Sequence, residues 1–569
     1  MTPRSSNGNS SSPSENQETV PPPPKIGMVV DMAAESNVIA ELLSAVSGNP
    51  ATERQQQYAY TRPDFLHFSK EETQLSADHL IRPVLCPKFP LPVHAGYAEV
   101  INYGKSQENE DMATAKILNI EQQGYRAEKA IDLVEALKRT STKPMDVSIN
   151  AASGSKSNKK LEKRKSDEDI LPLTRSFSSD EGPSAPRAEC AYFAIFDGHA
   201  GSATAIMASK MLHELIKNRL SEVLESILHL SRRETIFGPS SKAKMDIDGA
   251  DAMNDNANQA TSSKDKTVIT ADNLVIGALE AAFVEMDDQI GSEKCTNRLP
   301  GGCATIVTLF FLNKIYVANA GDCRALLVSS NKYQPLSNDF SPIRERKRLQ
   351  AIAYKNREII SQCFSRLEFS RYLTRKDLNH KVLYRDWYMD GWAAKTVKEA
   401  DLKPPLISSR CRKSRLLNTI GVSRGLGDHH LMTVDDRIAI KPFLSPHPEV
   451  QVFDTRSLHS LTEKDVLVMA SDGLWDVFSN QEVFDMVNKS LSSSAGDSDL
   501  DESTRYTLVA QELAAAARGD PVDNCRWKLV NGNMASSDDI TVFVVPLKFA
   551  VNLCAEDGED EDDEELLDV

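Results

Sequence analysis

Cysteine is scarce: nine in 569 residues, odd in number, scattered and without a CxxC pair. That excludes a disulfide framework and points to reduced thiols in a cytoplasmic or nuclear compartment. The opening MTPRSSNGNSSSPSEN has no apolar core of the kind a secretory signal carries. The longest largely apolar run, Ala304 to Leu312, ends at Asn313-Lys314. It falls well short of the roughly 20 residues a membrane span needs. No fixed-period repeat of the solenoid kind is present. Basic charge is also in deficit, with 66 Lys and Arg against 82 Asp and Glu and a net charge of -16. Glu556 to Val569 alone holds ten acids and no base. The remainder carries about -6, ordinary for a soluble domain and without the basic face that nucleic-acid binding requires.

What is present is enough to fold. With 40% hydrophobic and 26% charged residues the chain is too apolar to be disordered throughout. At roughly 150 residues per domain its length admits several domains or one enlarged domain with insertions. Thr2 to Pro24 is Ser/Asn/Pro-rich, Ser153 to Pro186 and Met245 to Lys266 are polar, and the acidic end repels itself. The expected organisation is a disordered tail over 1–24, one domain over 25–550 with disordered insertions at about 145–188 and 238–268, and an acidic tail over 551–569. Short runs rich in β-branched and aromatic residues predict strands at Tyr97–Asn102, Ala191–Phe196, Ile306–Leu312, Lys314–Ala318, Val466–Ala470 and Ile540–Val545. The middle pair reads as a hairpin around Asn313. Apolar spacing predicts helices over Ala203–Leu230, Leu274–Asp287, Gln481–Leu491 and Tyr506–Arg518. Strands grouped apart from paired helices give an α+β layered domain.

The informative residues are acids beside strands. Asp197-Gly198-His199 follows AYFAIF, Ser471-Asp472-Gly473 follows VLVMA, Asp538-Asp539 precedes ITVFVV, and Glu110-Asp111 follows YAEVIN. A carboxylate beside a packed strand costs several kcal/mol unless it is paired or binds a metal. The bases within these motifs are too few to pair four clusters, and hard divalent cations prefer such oxygen ligands. Any single Asp-Gly reads equally as a turn. Composition and spacing therefore leave two readings open, structural turns or a hydrolase with two metals about 4 Å apart.

Five motifs in order narrow the choice: FDGHAG at Phe196–Gly201, ANAGDCRALL at Ala318–Leu327, GVSRGLGD at Gly421–Asp428, ASDGLWDVFSNQE at Ala470–Glu482 and SDDITVFVV at Ser537–Val545. The chain resembles the metal-dependent (type 2C, PPM) serine/threonine protein phosphatases. RPDFLHF, SADHLIRP, GYAEVINYGKSQENED and LYRDWYMDGWA resemble the H/J/M branch, so the likeness runs from about Arg62 to Leu547. It implies a central β-sandwich with helix pairs on both faces and hydrolysis of phosphoserine and phosphothreonine on proteins. By that resemblance Asp197 bridges two Mg²⁺ or Mn²⁺ ions and Gly198 offers its carbonyl. Glu110 serves one ion, while Asp472 and Asp538 serve the other, with Asp538 ranked above Asp539. Asp111 orients water, Asp322 and Asp476 match a weaker third-ion position, and His199 matches the general acid. Arg424 and Asp428 match bracing positions.

Two departures stand out. Where many relatives place a phosphate-gripping Arg this chain has Ser106, with Lys105 beside it; a Lys replaces the charge but not the bidentate fork. Cys323 replaces a common Ser, a packing change. Asp322 to Asp428 spans 106 positions, about twice a minimal member, and the extra stretch Asn338–Arg415 reads as an ordered flap that either selects the protein substrate or covers the sandwich edge. The resemblance implies phosphorylated protein partners, with Rab-type small GTPases as the class linked to this branch. Lys159–Lys165 reads as a linker or an import signal, and Ser176, Ser178 and Ser179 as candidate phosphorylation sites. A catalytically dead scaffold and a two-metal phosphodiesterase are the competing readings.

Overall fold

A strand buried on both faces needs two cores, one for each set of alternating side chains. The computed structural model describes residues 58–122, 186–237, 269–292, 301–360, 363–408, 413–458, 460–493, 501–523 and 526–553. The expected tails and disordered insertions, the basic run and the serine cluster fall almost wholly outside those residues. Strands β1 to β7 are Gly96–Val100, Met112–Glu121, Arg187–His199, Gly302–Phe311, Lys314–Ala320, Arg324–Ser329 and Lys332–Pro335. Strands β8 to β12 are Glu368–Phe369, Lys381–Arg385, Ala393–Thr396, Ile407–Ser408 and Arg415–Leu416. Strands β13 to β18 are Leu426–Gly427, Glu449–Asp454, Val466–Ala470, Asp520–Asp523, Arg526–Lys528 and Ile540–Pro546. Helices α1 to α4 are Lys70–Leu75, Ala203–Phe237, Ala271–Ser292 and Arg346–Lys355. Helices α5 to α8 are Asp472–Trp475, Asn480–Ser493, Glu502–Arg518 and Leu547–Leu553.

Two antiparallel sheets carry the fold, one ordered β14-β5-β4-β3-β2 with β13 on β4, the other β1-β18-β15-β6-β7. In β3, Ala191, Phe193 and Ile195 join Tyr97, Ile306, Leu467 and Phe543 in a core between the sheets. The alternate residues Tyr192, Ala194 and Phe196 pack outward with side chains of α2 and α3. On the other side Ala98, Val468 and Val542 pack with α6 and α7. The architecture is the α+β sandwich with a helix pair on each face that the motifs implied. Leu312 and Asn313, at φ 50 and 58, make the two-residue turn of the expected hairpin. Among the described residues no helix is long and apolar enough to cross a membrane, and Cys86, Cys303 and Cys323 are free thiols.

Two strand expectations are corrected. β3 does not stop at Phe196 but pairs onward, Asp197 with Ala304, Gly198 with Cys303 and His199 with Gly302. β2 was not anticipated, because MATAKILNIE dilutes its apolar residues with Ala, Thr and Lys. Glu110-Asp111 therefore leads into a strand instead of merely trailing one. The stretch 338–415 is ordered in its described part, with α4, the sheet β10-β9-β8 and the pair β11-β12. It is too long to share the sandwich core, so Leu349, Phe364, Leu406 and Leu416 build a separate cluster with Ile440 and Phe443.

Register gathers the acidic motifs. Val100 pairs with Ile540 and Ala470 with Val542, so one sheet ends where β15 stops and β18 begins. Met112 pairs with Phe196, and Thr305 with Ala320, which brings the ends of β2, β3 and β5 together in the other sheet. Beneath this end Arg62 is buried, its Nε 2.7 Å from Glu99 Oε1 and an Nη 2.8 Å from Glu99 Oε2. Its other Nη donates to the carbonyls of Asn109 and Asp111 at 3.0 and 2.9 Å, tying down the loop that carries Glu110. Removing one partner of a fully buried pair strands the other's charge. Arg62→Met should lower unfolding stability by about 3–5 kcal/mol in urea denaturation, and adding Glu99→Leu should restore most of it. A single variant as stable as the parent would contradict this role.

Candidate metal centre

Acids appear where the inward-facing rows of the sandwich run out of apolar residues. Asp197 continues the row Ala191, Phe193, Ile195, and Asp111 precedes Ala113 and Ala115 on the same face. Asp539 and Thr541 likewise lead into Phe543 and Val545. The rows meet: Thr541 Oγ1 donates to Asp111 Oδ2 at 2.8 Å, and the Asp472 amide to Asp197 Oδ2 at 3.3 Å.

Asp197, Asp322 and Asp472 each offer a carboxylate oxygen within 4.8 Å of the others. Asp322, which the resemblance matches to a weaker third ion, shares this group with Asp197 and Asp472. Glu110, Asp538 and Asp476 stand outside that group. Burial, reinforced by the charges of Asp472, Asp111 and Asp538, pushes Asp197 well above the usual carboxylate range. Asp111 is raised by burial and by Asp539, and Asp322 by burial and by Asp472. Asp472 Oδ1 is buried with no hydrogen-bond partner among the described residues.

The expectation that bases are too few is corrected in part, for two lysines reach these acids. Lys105 Nζ lies 2.6 and 2.5 Å from the two oxygens of Asp538. Lys413 Nζ contacts Asp472 Oδ2 and lies 2.9 Å from Asp476 Oδ2. Burial opposes the Lys413 charge, but Asp472, Asp322 and Asp476 outweigh it and hold the ammonium above its ordinary pKa. Nothing in residue spacing announces Lys413, which comes from the insertion. Lys105 is presented by an Asn102 turn whose Oδ1 accepts from the amides of Gly104, Lys105 and Ser106. Ser106 Oγ is spent within that loop, donating to the Glu108 carbonyl at 2.6 Å.

The remaining candidates divide into ligands and braces. Asp539 accepts from the Asn102 amide at 2.8 Å and from the Glu110 amide at 2.9 Å, so both its oxygens serve the backbone. Glu110 Oε1 accepts from the Gly201 amide at 2.6 Å. His199 Nε2 lies 2.7 Å from Asp428 Oδ2. Burial pulls the imidazole pKa down, but the bond to Asp428 and its charge outweigh this and the net shift is upward. Arg424 meets Glu345 at 2.8 Å and the His447 carbonyl at 2.9 Å, tying its loop to the start of α4. Cys323 is buried between the sheets. Arg82, another residue whose role spacing did not reveal, donates to the carbonyls of Ile101 and Ser536 behind Asp538.

The glycines of the two Asp-Gly pairs serve close approach. A Cβ on Gly198 would lie 2.2 Å from the Glu110 carbonyl oxygen, and one on Gly473 2.0 Å from that of Asp539. The donor set as a whole is oxygen, crowded, and partly without protein partners, which fits hard divalent cations. Gly198→Ala should lower stability by more than about 1 kcal/mol, in the range for overpacking a tight site, when measured by chemical denaturation. An unchanged midpoint would show that the close approach to Glu110 does not constrain this position.

Comparison with known proteins places the chain in a family. The profile of the family described as Protein phosphatase 2C matches residues 249–400 and 403–521. Protein phosphatase 1H of Danio rerio is 38% identical over 539 residues, covering 91% of this chain and 97% of its own. The human Protein phosphatase 1H is 38% identical over 508 residues, covering 86% and 91%. Protein phosphatase 1J of Mus musculus is 35% identical over 504 residues, covering 88% of each. This chain belongs to the protein phosphatase 2C family and is a metal-dependent serine/threonine protein phosphatase.

Proposed function

We propose that Asp197, Glu110, Asp472 and Asp538, with the Gly198 carbonyl, hold two divalent cations, Mg²⁺ or Mn²⁺, at the open end of the sandwich. Asp322 and Asp476 serve a further, weaker ion. The observation that supports a metal here is the group of Asp197, Asp322 and Asp472 oxygens within 4.8 Å of one another; Glu110 and Asp538 are added because strand register brings them to the same end of the sandwich. Bound there, such cations would neutralise phosphate charge and lower the pKa of a water, supplying a nucleophile for hydrolysis without a phosphoenzyme.

The chain's own residues supply the rest. His199, held at Nε2 by Asp428, has Nδ1 left to pass a proton to the departing serine or threonine oxygen. The bond to Asp428 outweighs burial and favours the protonated imidazole. Asp111, fixed by Thr541, orients the attacking water without touching the substrate. Lys105 stands in for the missing arginine as a single point charge for the substrate phosphate, and its present partner Asp538 keeps it at the rim. The ordered insertion, with its own core and exposed Tyr388 and Trp392, is the surface we assign to protein-substrate choice. Phosphorylated Rab-type GTPases are the class to try first.

Hydrolysis of p-nitrophenyl phosphate should require Mn²⁺, stop on chelation, and fall by more than about 100-fold in Asp197→Ala, beyond what loss of an outer-sphere contact produces. Turnover that survives the chelator or that variant would overturn the proposal. Lys105→Ala should raise KM for a phosphopeptide about tenfold, the worth of one charged hydrogen bond, with a smaller change in kcat. An unmoved KM would reject Lys105 as the phosphate contact.

A further inference from the structure

Lys413 lies 59 positions before Asp472, in the insertion and outside all five motifs. Its ammonium nonetheless sits at the heart of the acidic group. It contacts Asp472 Oδ2 directly, with Asp476 Oδ2 at 2.9 Å and Asp322 Oδ2 at 3.7 Å. A cavity of about 270 Å³ opens beside it, lined by Asp322, Asp339, Asp472, Trp475 and Asp476 among others. The neighbouring cation, Arg324, is engaged elsewhere: it holds Asp339 at 2.6 Å and Asn480 at 2.5 Å and stacks on Trp475. Lys413 is therefore aimed at the metal-binding acids, where Arg324 is aimed away from them.

An ammonium and a divalent cation cannot share one carboxylate oxygen. A charged N–H···O contact spans about 2.8 Å, and a Mg²⁺–oxygen contact about 2.1 Å, so either occupant takes the space of the other. We propose that Lys413 is a tethered competitor for the divalent cation at Asp322, Asp472 and Asp476, so that the insertion sets how tightly this part of the centre holds its metal. The inference rests on the reading of these carboxylates as metal ligands. By linkage the effect is reciprocal: the cation weakens the grip on Lys413 as much as Lys413 weakens the grip on the cation. A partner that engages the insertion and draws Lys413 off would tighten the metal without touching it.

Calorimetric titration of the full chain with Mn²⁺ tests this without any assay of activity. Lys413→Met keeps the apolar stem and removes the charge; its weakest resolved Mn²⁺ step should tighten by about tenfold, within the usual span of couplings between sites. Mn²⁺ affinity that is unchanged or lower in the variant overturns the proposal while leaving the metal reading intact. Absence of Mn²⁺ binding to the wild-type chain overturns both. A second readout needs no variant: reductive methylation of the wild-type chain, followed by mass spectrometry, should label Lys413 more heavily with Mn²⁺ than without. Equal or lower labelling with Mn²⁺ also overturns it.

Discussion

Repulsion among carboxylates held at the end of an apolar sandwich is the constraint on which this protein turns. Asp111, Asp197, Asp322 and Asp539 are all driven toward the protonated form, by burial first and by neighbouring carboxylates second. Left alone, such a group relieves its repulsion by taking up protons. Lys105 and Lys413 offset part of the charge on Asp538 and Asp472. Two lysines do not neutralise so many acids, and the excess of oxygen donors is what suits the pocket to divalent cations.

The scaffold exists to hold that unfavourable arrangement still. Inward-facing rows from both sheets end in acids at the same level, so strand register aims the side chains without special loops. Where loops are needed, buried guanidinium groups fasten them. Arg62 grips the carbonyls flanking Glu110, and Arg82 bridges Ile101 to the turn before Asp538. Gly198 and Gly473 let the backbones of Glu110 and Asp539 close to distances that any side chain would forbid. Charge, register and close approach therefore support one geometry.

Much of this was legible in the residues because its physics is local. Runs such as ITVFVV and VLVMA declare buried strands, and Leu312-Asn313 makes the turn that brings IVTLFF onto KIYVA. The acids could be picked out because a carboxylate beside such a strand needs an explanation. β2 escaped notice because alanine and threonine bury well without advertising a period. Asp-Gly suggested a turn where Gly198 in fact sits within a paired strand. Arg62, Arg82 and Lys413 were hidden for another reason: each acts on residues far away in the chain, and the distance is closed only by folding. The cluster that joins Leu349 of the insertion to Phe443 beyond it depends on the same long-range closure.

The most direct measurement is X-ray diffraction from crystals grown with Mn²⁺, recorded at the manganese absorption edge. The account predicts anomalous peaks in contact with the Asp197 carboxylate, shared with Asp472 on one side and approached by Glu110 on the other. Anomalous density absent from this pocket, or found only on other acids of the chain, would contradict it.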